Sequence, residues 1–376
     1  MMRTDFIAFD AKRAFLNRRG LGNYSRDVIR LMTSYAPEAY YGLLTPKRGS
    51  FYTPPTEHTQ VIEPSGGWRL CPSLWRSKGC VTTLRKIQNH SDYRWTYWGL
   101  SGELPYRIDT LGMRMIVTMH DAIFVRYPEL YSPTYRALFA RKVQYACDIA
   151  DTIVAISEQT KRDIIEFFHA DEKKIKVVYQ GCSHLFREPV REETIAEAKS
   201  KYHLPEQYIL DVGAIEPRKN LQNLIRAMAA EHIDVPLVAI GGHSGYADDS
   251  ERLARELGVP LILRHEVSFT DFPALYKGAQ VLCYPSIFEG FGIPILEAMC
   301  VGTPVLTSTG SCFAETGGPA ARYANPMDIE DIGQQLSKVL SDSTLRAEME
   351  KKGYQQAALF TDEVVATNLR AVLFQE

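Results

Sequence analysis

Two glutamates stand eight positions apart in FEGFGIPILEAM, residues 288–299, a stretch that is otherwise apolar apart from two glycines and a proline. Burying an unpaired carboxylate is expensive, so Glu289 and Glu297 call for partners. Spacing alone says little, because Glu158 and Glu166 are also eight apart inside an ordinary amphipathic helical pattern. Context separates the two pairs. AQVLCYPS reads as a strand, IFEGFG as a loop, Pro294 as a helix start and Gly302 as its end. Gly290 and Gly292 free the backbone to approach a ligand. The open amides of a helix start, at the positive end of its dipole, favour a phosphate. Glu297 is expected in the first turn, accepting hydrogen bonds from vicinal hydroxyls such as those of a ribose. Glu289 is expected in the loop, facing whatever lies beyond the phosphates. A first-turn glutamate beside a surface loop would explain Glu297 but would leave an exposed Phe291-Gly292-Ile293 unexplained.

DVGAIEPRKNLQNLI, residues 211–225, is again strand, short loop and helix. Arg218 and Lys219 fall at the expected helix start, where the dipole disfavours cations, so an anionic ligand accounts for them better than a bare surface. A cation about 4 Å from a pyrophosphate is worth about 4 kcal/mol at an effective dielectric near 20. A contact of that size that strengthens on a leaving nucleotide is worth roughly three decades in rate. Such a pair could replace a metal, and the chain contains no D-x-D pair to hold one.

Three weaker signals remain. In AKRAFLNRRGLGNYSRDVI, residues 11–29, Gly20 and Gly22 are expected to end a basic loop just before a helix, an anion seat that a plain turn explains nearly as well. His120 and Asp121 close the strand RMIVTMHD; a lone histidine is usually structural, but a strand's carboxyl end is a favourable place for a functional one. Trp68, Trp75, Trp95 and Trp98 share a basic stretch of 31 residues. Tryptophan beside cations suits a membrane–water interface or a sugar-stacking surface, whereas a variable loop packing its aromatics inward is the preferred reading.

The elements that must position these residues alternate. DFIAFDA (5–11), RMIVTMHDAIF (114–124), TIVAIS (152–157) and KIKVVY (174–179) read as buried strands, with helices over 134–150 and 157–168, the second capped by Ser157. The polar run 186–207 reads as a domain junction followed by a short helix. YILDVG, VPLVAIGG, AQVLCYPS and TPVLTS then restart the pattern. Repeated strand–helix units on both sides of a linker predict two parallel-sheet α/β domains, whose ligands sit outside the strands' carboxyl ends, in a cleft if the domains face each other. The segment 361–374 is helical but cannot be placed from pattern.

Composition agrees with this class. The 376 residues suffice for two cores, and 45% hydrophobic with 23% charged residues describes a globular protein. No run approaches the ~18 apolar residues that span a bilayer. The opening MMRTDFIAFDAKR is charged where a signal peptide is apolar, so a cytoplasmic protein is expected. Seven scattered cysteines without a CxxC pair suggest reduced thiols, with neither a disulfide framework nor a zinc site. The first 100 residues hold 15 Lys and Arg against 7 acids, and the rest 28 against 38. That asymmetry suits an anionic partner for the N-terminal half, a phosphate-bearing substrate or a membrane surface, and equally an uneven solvated surface.

Together these segments resemble the family 4 (group 1) retaining glycosyltransferases of GT-B fold. FEGFGIPILEAMCVGTPVLTS is similar to that family's E-x7-E signature and following strand, VGAIEPRKNLQNLIRAM to its phosphate-binding strand–loop–helix, and SEQTKRDIIEFFHADEKKIKVVYQG to the end of its N-terminal domain. RRGLGNYSRDVI resembles its first glycine loop, and ETGGPAARYANP also fits. The likeness is dense only after about residue 110; residues 40–110 match nothing specific, as expected of a segment that meets the acceptor.

The resemblance implies two Rossmann-like parallel-sheet domains facing a central cleft: 1–186 on the acceptor side, 187–360 on the nucleotide-sugar side, and a helix at 361–376 crossing back. It implies metal-independent, retaining transfer from a nucleotide diphosphate sugar, with no cofactor beyond that co-substrate. Glu297 would bind ribose hydroxyls and Glu289 the donor sugar. The amides of Phe291, Gly292 and Ile293 would hold sugar and phosphate, and Arg218 and Lys219 the diphosphate. His120 would line the donor sugar, Gly20 and Gly22 would approach phosphate or acceptor, and the loop near Val267 would read the base. Many members carry arginine after the glycine of the phosphate strand, where this chain has Ala214; Arg218 would supply that charge. The EPRKN form resembles mannosyl-transferring members, which favours GDP-mannose over a UDP-linked donor. A saccharide or lipid-linked acceptor follows, in cell-surface polysaccharide or glycoconjugate synthesis. No nucleic-acid partner is expected, and peripheral contact with the inner face of the cell membrane is compatible with the reading.

Two other functions would fit the architecture. A nucleotide-sugar epimerase would release an epimerised sugar with no acceptor, and a non-catalytic binding protein would hold donor without turnover. A dinucleotide oxidoreductase would need GxGxxG after the first strand, and RRGLGNYS lacks the third glycine.

Overall fold

Residues 4–374, the part of the chain that the computed structural model describes, form two all-parallel sheets. The chain divides after Gln180: the preceding residues and the segment from Asp362 onward make one unit, and Gly181–Thr361 the other.

The first unit's strands are β1 (Asp5–Asp10), β2 (Tyr40–Leu44), β3 (Thr59–Ile62), β4 (Arg94–Gly99), β5 (Arg114–Met119), β6 (Thr152–Ala155) and β7 (Ile175–Val177), in the order β3-β2-β1-β4-β5-β6-β7. Its larger helices include α1 (Gly20–Tyr35), α2 (Pro133–Ile149) and α3 (Glu158–Phe168). β1, β5 and β6 are almost wholly buried because helices cover both faces of a parallel sheet, which is why they read as apolar runs. The Ser157 hydroxyl accepts the Thr160 amide at 3.0 Å, the expected cap of α3.

The tryptophans of the basic stretch pack inward. β4, RWTYWG, buries Trp95 and Trp98, and Trp75 is buried with them. Trp98 Nε1 donates to Thr118 Oγ1 at 3.0 Å and Trp75 Nε1 to Thr83 Oγ1 at 3.1 Å, so these two indoles keep a polar partner inside, whereas the buried Trp95 Nε1 finds none among the described residues. Trp68 packs over Gly79, where a Cβ would lie 2.8 Å from its ring.

The second unit's strands are β8 (Ile209–Val212), β9 (Leu237–Ile240), β10 (Leu261–Arg264), β11 (Val281–Tyr284), β12 (Val305–Ser308) and β13 (Arg322–Ala324), in the order β10-β9-β8-β11-β12-β13. α4 (Leu221–Ala230) follows β8 and α5 (Ile293–Cys300) follows β11. The unit begins earlier than the polar run at 186–207 suggested. Phe186 is already part of its core, edge-to-face on Tyr276 with ring centroids 5.4 Å apart.

The last helix, α6 (Asp362–Phe374), belongs to the first unit. Arg30 Nη1 bonds Asp362 Oδ2 at 2.7 Å at its start. At its end Arg114 donates to the carbonyls of Val372 and Leu373, satisfying groups a helix leaves open. Val365, Ala366, Leu369, Val372 and Leu373 are buried, a stripe of helical period.

Candidate active site

In each sheet the strand order reverses beside the unit's first strand, between β1 and β4 and between β8 and β11. Ligands of open parallel sheets bind outside the carboxyl ends at such points. Both points carry charged side chains.

In the second unit, β8 leads through Gly213 into a short 3-10 turn, Pro217–Lys219, and α4 begins only at Leu221. Arg218 and Lys219 therefore precede the helix instead of opening it. Asn220 takes the left-handed conformation between turn and helix, φ 67°, and its side-chain amide donates to the carbonyls of Pro285 at 3.1 Å and Pro326 at 2.6 Å. Asparagine tolerates that conformation, and its two bonds fix the turn against the loops after β11 and β13.

Arg218 and Lys219 converge on one oxygen. Arg218 Nη1 and Lys219 Nζ each lie 2.6 Å from Glu289 Oε1. Arg218 also reaches Phe288 O and Glu216 Oε1, both at 2.6 Å, and Lys219 donates to Tyr284 Oη at 2.5 Å. Burial alone would push the Glu289 carboxyl up, but the Lys219 and Arg218 charges outweigh it and hold it below its usual value. The Glu289 backbone is gripped as well: its amide donates to Ser311 Oγ at 3.2 Å, and its carbonyl accepts from that hydroxyl at 2.9 Å.

The turn into α5 differs from expectation in three respects. Phe291 is buried rather than exposed, edge-to-face on Phe360 at 5.6 Å, with its carbonyl accepting from Thr316 Oγ1 at 2.5 Å. Pro294 is the second helical residue, behind Ile293. Glu297 therefore lies beyond the first turn. Gly292 caps the helix at φ 90°, a conformation that disfavours a side chain, and the amides of Gly292 and Ile293 find no acceptor among the described residues.

Glu297 has a hydroxyl for partner. Tyr276 Oη donates to Glu297 Oε2 at 2.8 Å, and burial pushes the carboxyl up to about 7, which that bond only partly offsets. Asp211, near the end of β8, is also buried and pushed up to about 7 against the opposing charge of Lys219. Val267 follows β10, at the carboxyl edge of the same sheet but two strands from β8.

His120, Gly20 and Gly22 belong to the first unit. His120 lies one residue past β5, not within it as expected, and stacks edge-on to Tyr24 of α1, ring centroids 4.6 Å apart. Burial lowers its pKa to about 4, so the ring is neutral, Nε2–H donates to Leu100 O at 2.9 Å, and Nδ1 keeps its lone pair. Gly20 and Gly22 are the first and third residues of α1, not the end of a loop before it. A Cβ on Gly22 would meet Asn17 O at 1.8 Å, so close backbone packing explains this glycine; Gly20 faces open space.

The first unit's reversal point holds a network absent from the sequence reading. Arg76 bridges Asp10, at the end of β1, with Nε 3.0 Å from Oδ2, and Glu103, with Nη1 2.8 Å from Oε2. Lys142 Nζ bonds the same Glu103 oxygen at 3.2 Å. Burial would raise the Glu103 carboxyl, but Arg76 and Lys142 hold it below its usual value. Beside the network lies a cavity of about 330 Å3 whose walls include Leu104, Tyr106, Leu138 and Arg141. Asp211 and Asp10 could have been found in the sequence, since each places a carboxylate in an apolar strand. Ser311, Tyr276 and Arg76 gave no local signal.

Among the described residues no group of three or more His, Cys, Asp or Glu is placed to hold a metal ion, and no helix is long and apolar enough to cross a membrane.

Comparison with known proteins bears on the whole chain. Residues 192–356 match the family described as glycosyl transferases group 1, and residues 46–184 glycosyltransferase family 4. The O-antigen chain mannosyltransferase B of Escherichia coli is 31% identical over 370 residues, 93% of this chain and 94% of that one. Among solved structures, sucrose-phosphate synthase from Thermosynechococcus elongatus superposes with a TM-score of 0.76 at 19% identity, covering 99% of both chains. Anabaena HepE, solved with UDP and glucose, gives 0.74 at 18% identity over 99% of this chain and 100% of that one. The chain belongs to the group 1, family 4 glycosyltransferases and is built on their two-domain GT-B fold.

Proposed function

We propose that the enzyme transfers mannose, with retention and without a metal, from a nucleoside diphosphate donor to a saccharide or lipid-linked acceptor in cell-surface polysaccharide synthesis. The observation that carries this reading is the meeting of Arg218 and Lys219 on Glu289 Oε1 at the reversal point of the second sheet. Arg218 and Lys219 are largely buried cations, balanced by Glu289 and Glu216, that a diphosphate can take over once it displaces Glu289. As the diphosphate leaves, negative charge collects on it, and fixed cations stabilise that change without reorganising. Glu289, released from the cations, is then available to the transferred sugar. Glu297 takes ribose hydroxyls, and the open amides of Gly292 and Ile293 take phosphate oxygens. His120 Nδ1 is a neutral acceptor suited to a sugar hydroxyl, and Val267 keeps its proposed place beside the base.

The mannosyl assignment draws on the 31% identity with the E. coli mannosyltransferase, and GDP-mannose is the preferred donor. HepE, solved with UDP, supports a nucleotide-sugar donor in general and keeps UDP-sugars as the competing choice. The cavity beside Asp10, Arg76 and Glu103 is the proposed acceptor pocket, its carboxylates suited to sugar hydroxyls and its tyrosines to a sugar's apolar face. Leu70, 86% exposed, and Leu74 lie on one short segment with Arg69 and Lys78, which suits peripheral contact with an anionic membrane surface.

Thermal stabilisation by GDP-mannose, UDP-glucose and an ADP-sugar, followed by transfer assays with the best binder, tests the reading. Stabilisation by GDP-mannose and release of GDP only with acceptor present is the expected result. Epimerised free sugar, or binding without turnover, would overturn it.

A further inference from the structure

Seven cysteines are free, and two of them meet: Cys182 Sγ and Cys300 Sγ lie 3.4 Å apart. They are 118 positions apart in sequence, so no turn forces the encounter. Cys182 is the second residue of the second unit, buried just after the chain leaves the first. Cys300 is the last residue of α5, three positions beyond Glu297, and is partly exposed. Arg187 follows five residues after Cys182; its Nη2 donates to Phe360 O at 2.7 Å, while its buried Nε has no partner among the described residues.

We propose that Cys182 and Cys300 form a reversible thiol–disulfide modification site that ties the start of the second unit to the helix carrying Glu297. The electrostatics give the two sulfurs different tasks. The contact between the two sulfurs, aided by the Arg187 charge, lowers the Cys300 thiol, while the same contact and burial raise Cys182 well above its ordinary value. Cys300 is partly exposed while Cys182 is buried, so Cys300 is the sulfur a small reagent can reach and the attacking thiolate.

The chemistry balances with an oxidised low-molecular-weight thiol, RSSR, as the reagent. The Cys300 thiolate attacks one sulfur of RSSR, breaking its S–S bond, forming Cys300–S–S–R and expelling RS⁻, which takes up the proton that Cys300 gave. Cys182 then loses its proton and attacks Cys300 Sγ, forming the protein disulfide and expelling the second RS⁻, which takes that proton. The two thiols are oxidised, and RSSR is reduced to two RSH. Bonding draws the sulfurs from 3.4 Å to about 2 Å, which pulls the end of α5 one turn from the Glu297–Tyr276 contact. That consequence for donor binding rests on the donor-site reading above; the disulfide itself does not.

The full chain is equilibrated with mixtures of reduced and oxidised glutathione, trapped with a maleimide, digested and mapped. The expected result is joint loss of Cys182 and Cys300 as one linked peptide pair, restored by dithiothreitol and abolished by Cys182→Ser or Cys300→Ser. Mapping of the unaltered protein needs no variant to fold. Retention of both thiols in every mixture, or glutathione only on the exposed Cys71, overturns the proposal. For the coupling, the thermal shift given by GDP-mannose should fall to about half in the oxidised protein. Equal shifts in the two forms overturn the coupling. No shift with any nucleotide-sugar in the reduced form overturns the donor reading and leaves the disulfide result intact.

Discussion

Lys219 Nζ lies 2.6 Å from Glu289 Oε1, and Arg218 Nη1 lies at the same distance from that same oxygen. A carboxylate doubly bound in this way holds cations and acid ready but neutralised. On the proposed reading a donor diphosphate exchanges with Glu289, which would couple seating the nucleotide to freeing the acid for the sugar.

Removing Glu289 should therefore separate binding from transfer. In Glu289→Ala, nucleoside diphosphate affinity stays within a few-fold of the parent or tightens, because the cations lose a competitor. Transfer falls by about 100-fold or more. The ligand-free variant should also melt earlier, since breaking a buried ion pair leaves charge uncompensated, roughly 3 kcal/mol or more. Nucleoside diphosphate should restore part of that loss. Calorimetry and a single-turnover assay measure each effect, and full activity would remove Glu289 from the mechanism.

Arg218→Ala tests the phosphate assignment. A charge-assisted contact is worth about 1.5–3 kcal/mol, so nucleoside diphosphate should bind roughly 10- to 100-fold more weakly. The parent nucleoside should lose no more than about twofold, a contrast that titration calorimetry resolves. Equal weakening of the two would show that Arg218 acts on the fold and not on phosphate.

Glu297 predicts a pH dependence of definite sign. Its carboxyl titrates at about 7 in the folded protein against 4.5 ordinarily, so between those values the folded state holds the extra proton. The stability contributed by protonated Glu297 is complete below about 4.5 and is lost as pH rises through about 7. Asp211 acts in the same sense, from 3.8 to about 7. If Glu297 takes ribose hydroxyls as proposed, they donate to its ionised carboxylate, so nucleotide-sugar affinity should rise between pH 6 and 8, by at most about tenfold per unit below the carboxyl's midpoint. Glu297→Gln should flatten the affinity profile and leave the Asp211 part of the melting profile. An unchanged affinity slope in that variant would remove Glu297 from ribose binding.

Residue types and punctuation made the second unit readable. FEGFGIPILEAM placed the acid on the loop after β11, where the structure finds it, because the motif is local and bounded by glycine and proline; EPRKN placed both cations just past β8 but at a helix start, whereas a 3-10 turn holds them ahead of the helix. What failed depended on distance along the chain. Phe291 looks exposed until Phe360 is known to cover it, and Ser311 shows its role only once it folds back on the Glu289 backbone. β2, β3, β4, β10 and β13 carry no plain strand signal because they are short or rich in charged and aromatic residues, and only the sheet around them gives those residues their inner face. α6 shows its helical period in sequence, yet Arg30 and Arg114, more than 250 positions away, decide where it docks.

Gly20 and Gly22 look equivalent in RRGLGNYS, yet the structure separates them, and substitution should too. A Cβ on Gly22 would enter the Asn17 carbonyl at 1.8 Å, and backbone cannot give way cheaply. Gly22→Ala should then cost about 2–3 kcal/mol, a melting shift with or without ligand, through displacement of α1 from the preceding turn. Gly20→Ala meets no atom within 4 Å and occupies the first helical position, so its stability should stay within about 1 kcal/mol of the parent. If a phosphate or acceptor approaches that backbone, Gly20→Ala should raise KM without moving the melting temperature. A melting loss in Gly20→Ala as large as that in Gly22→Ala would contradict the placement of both residues.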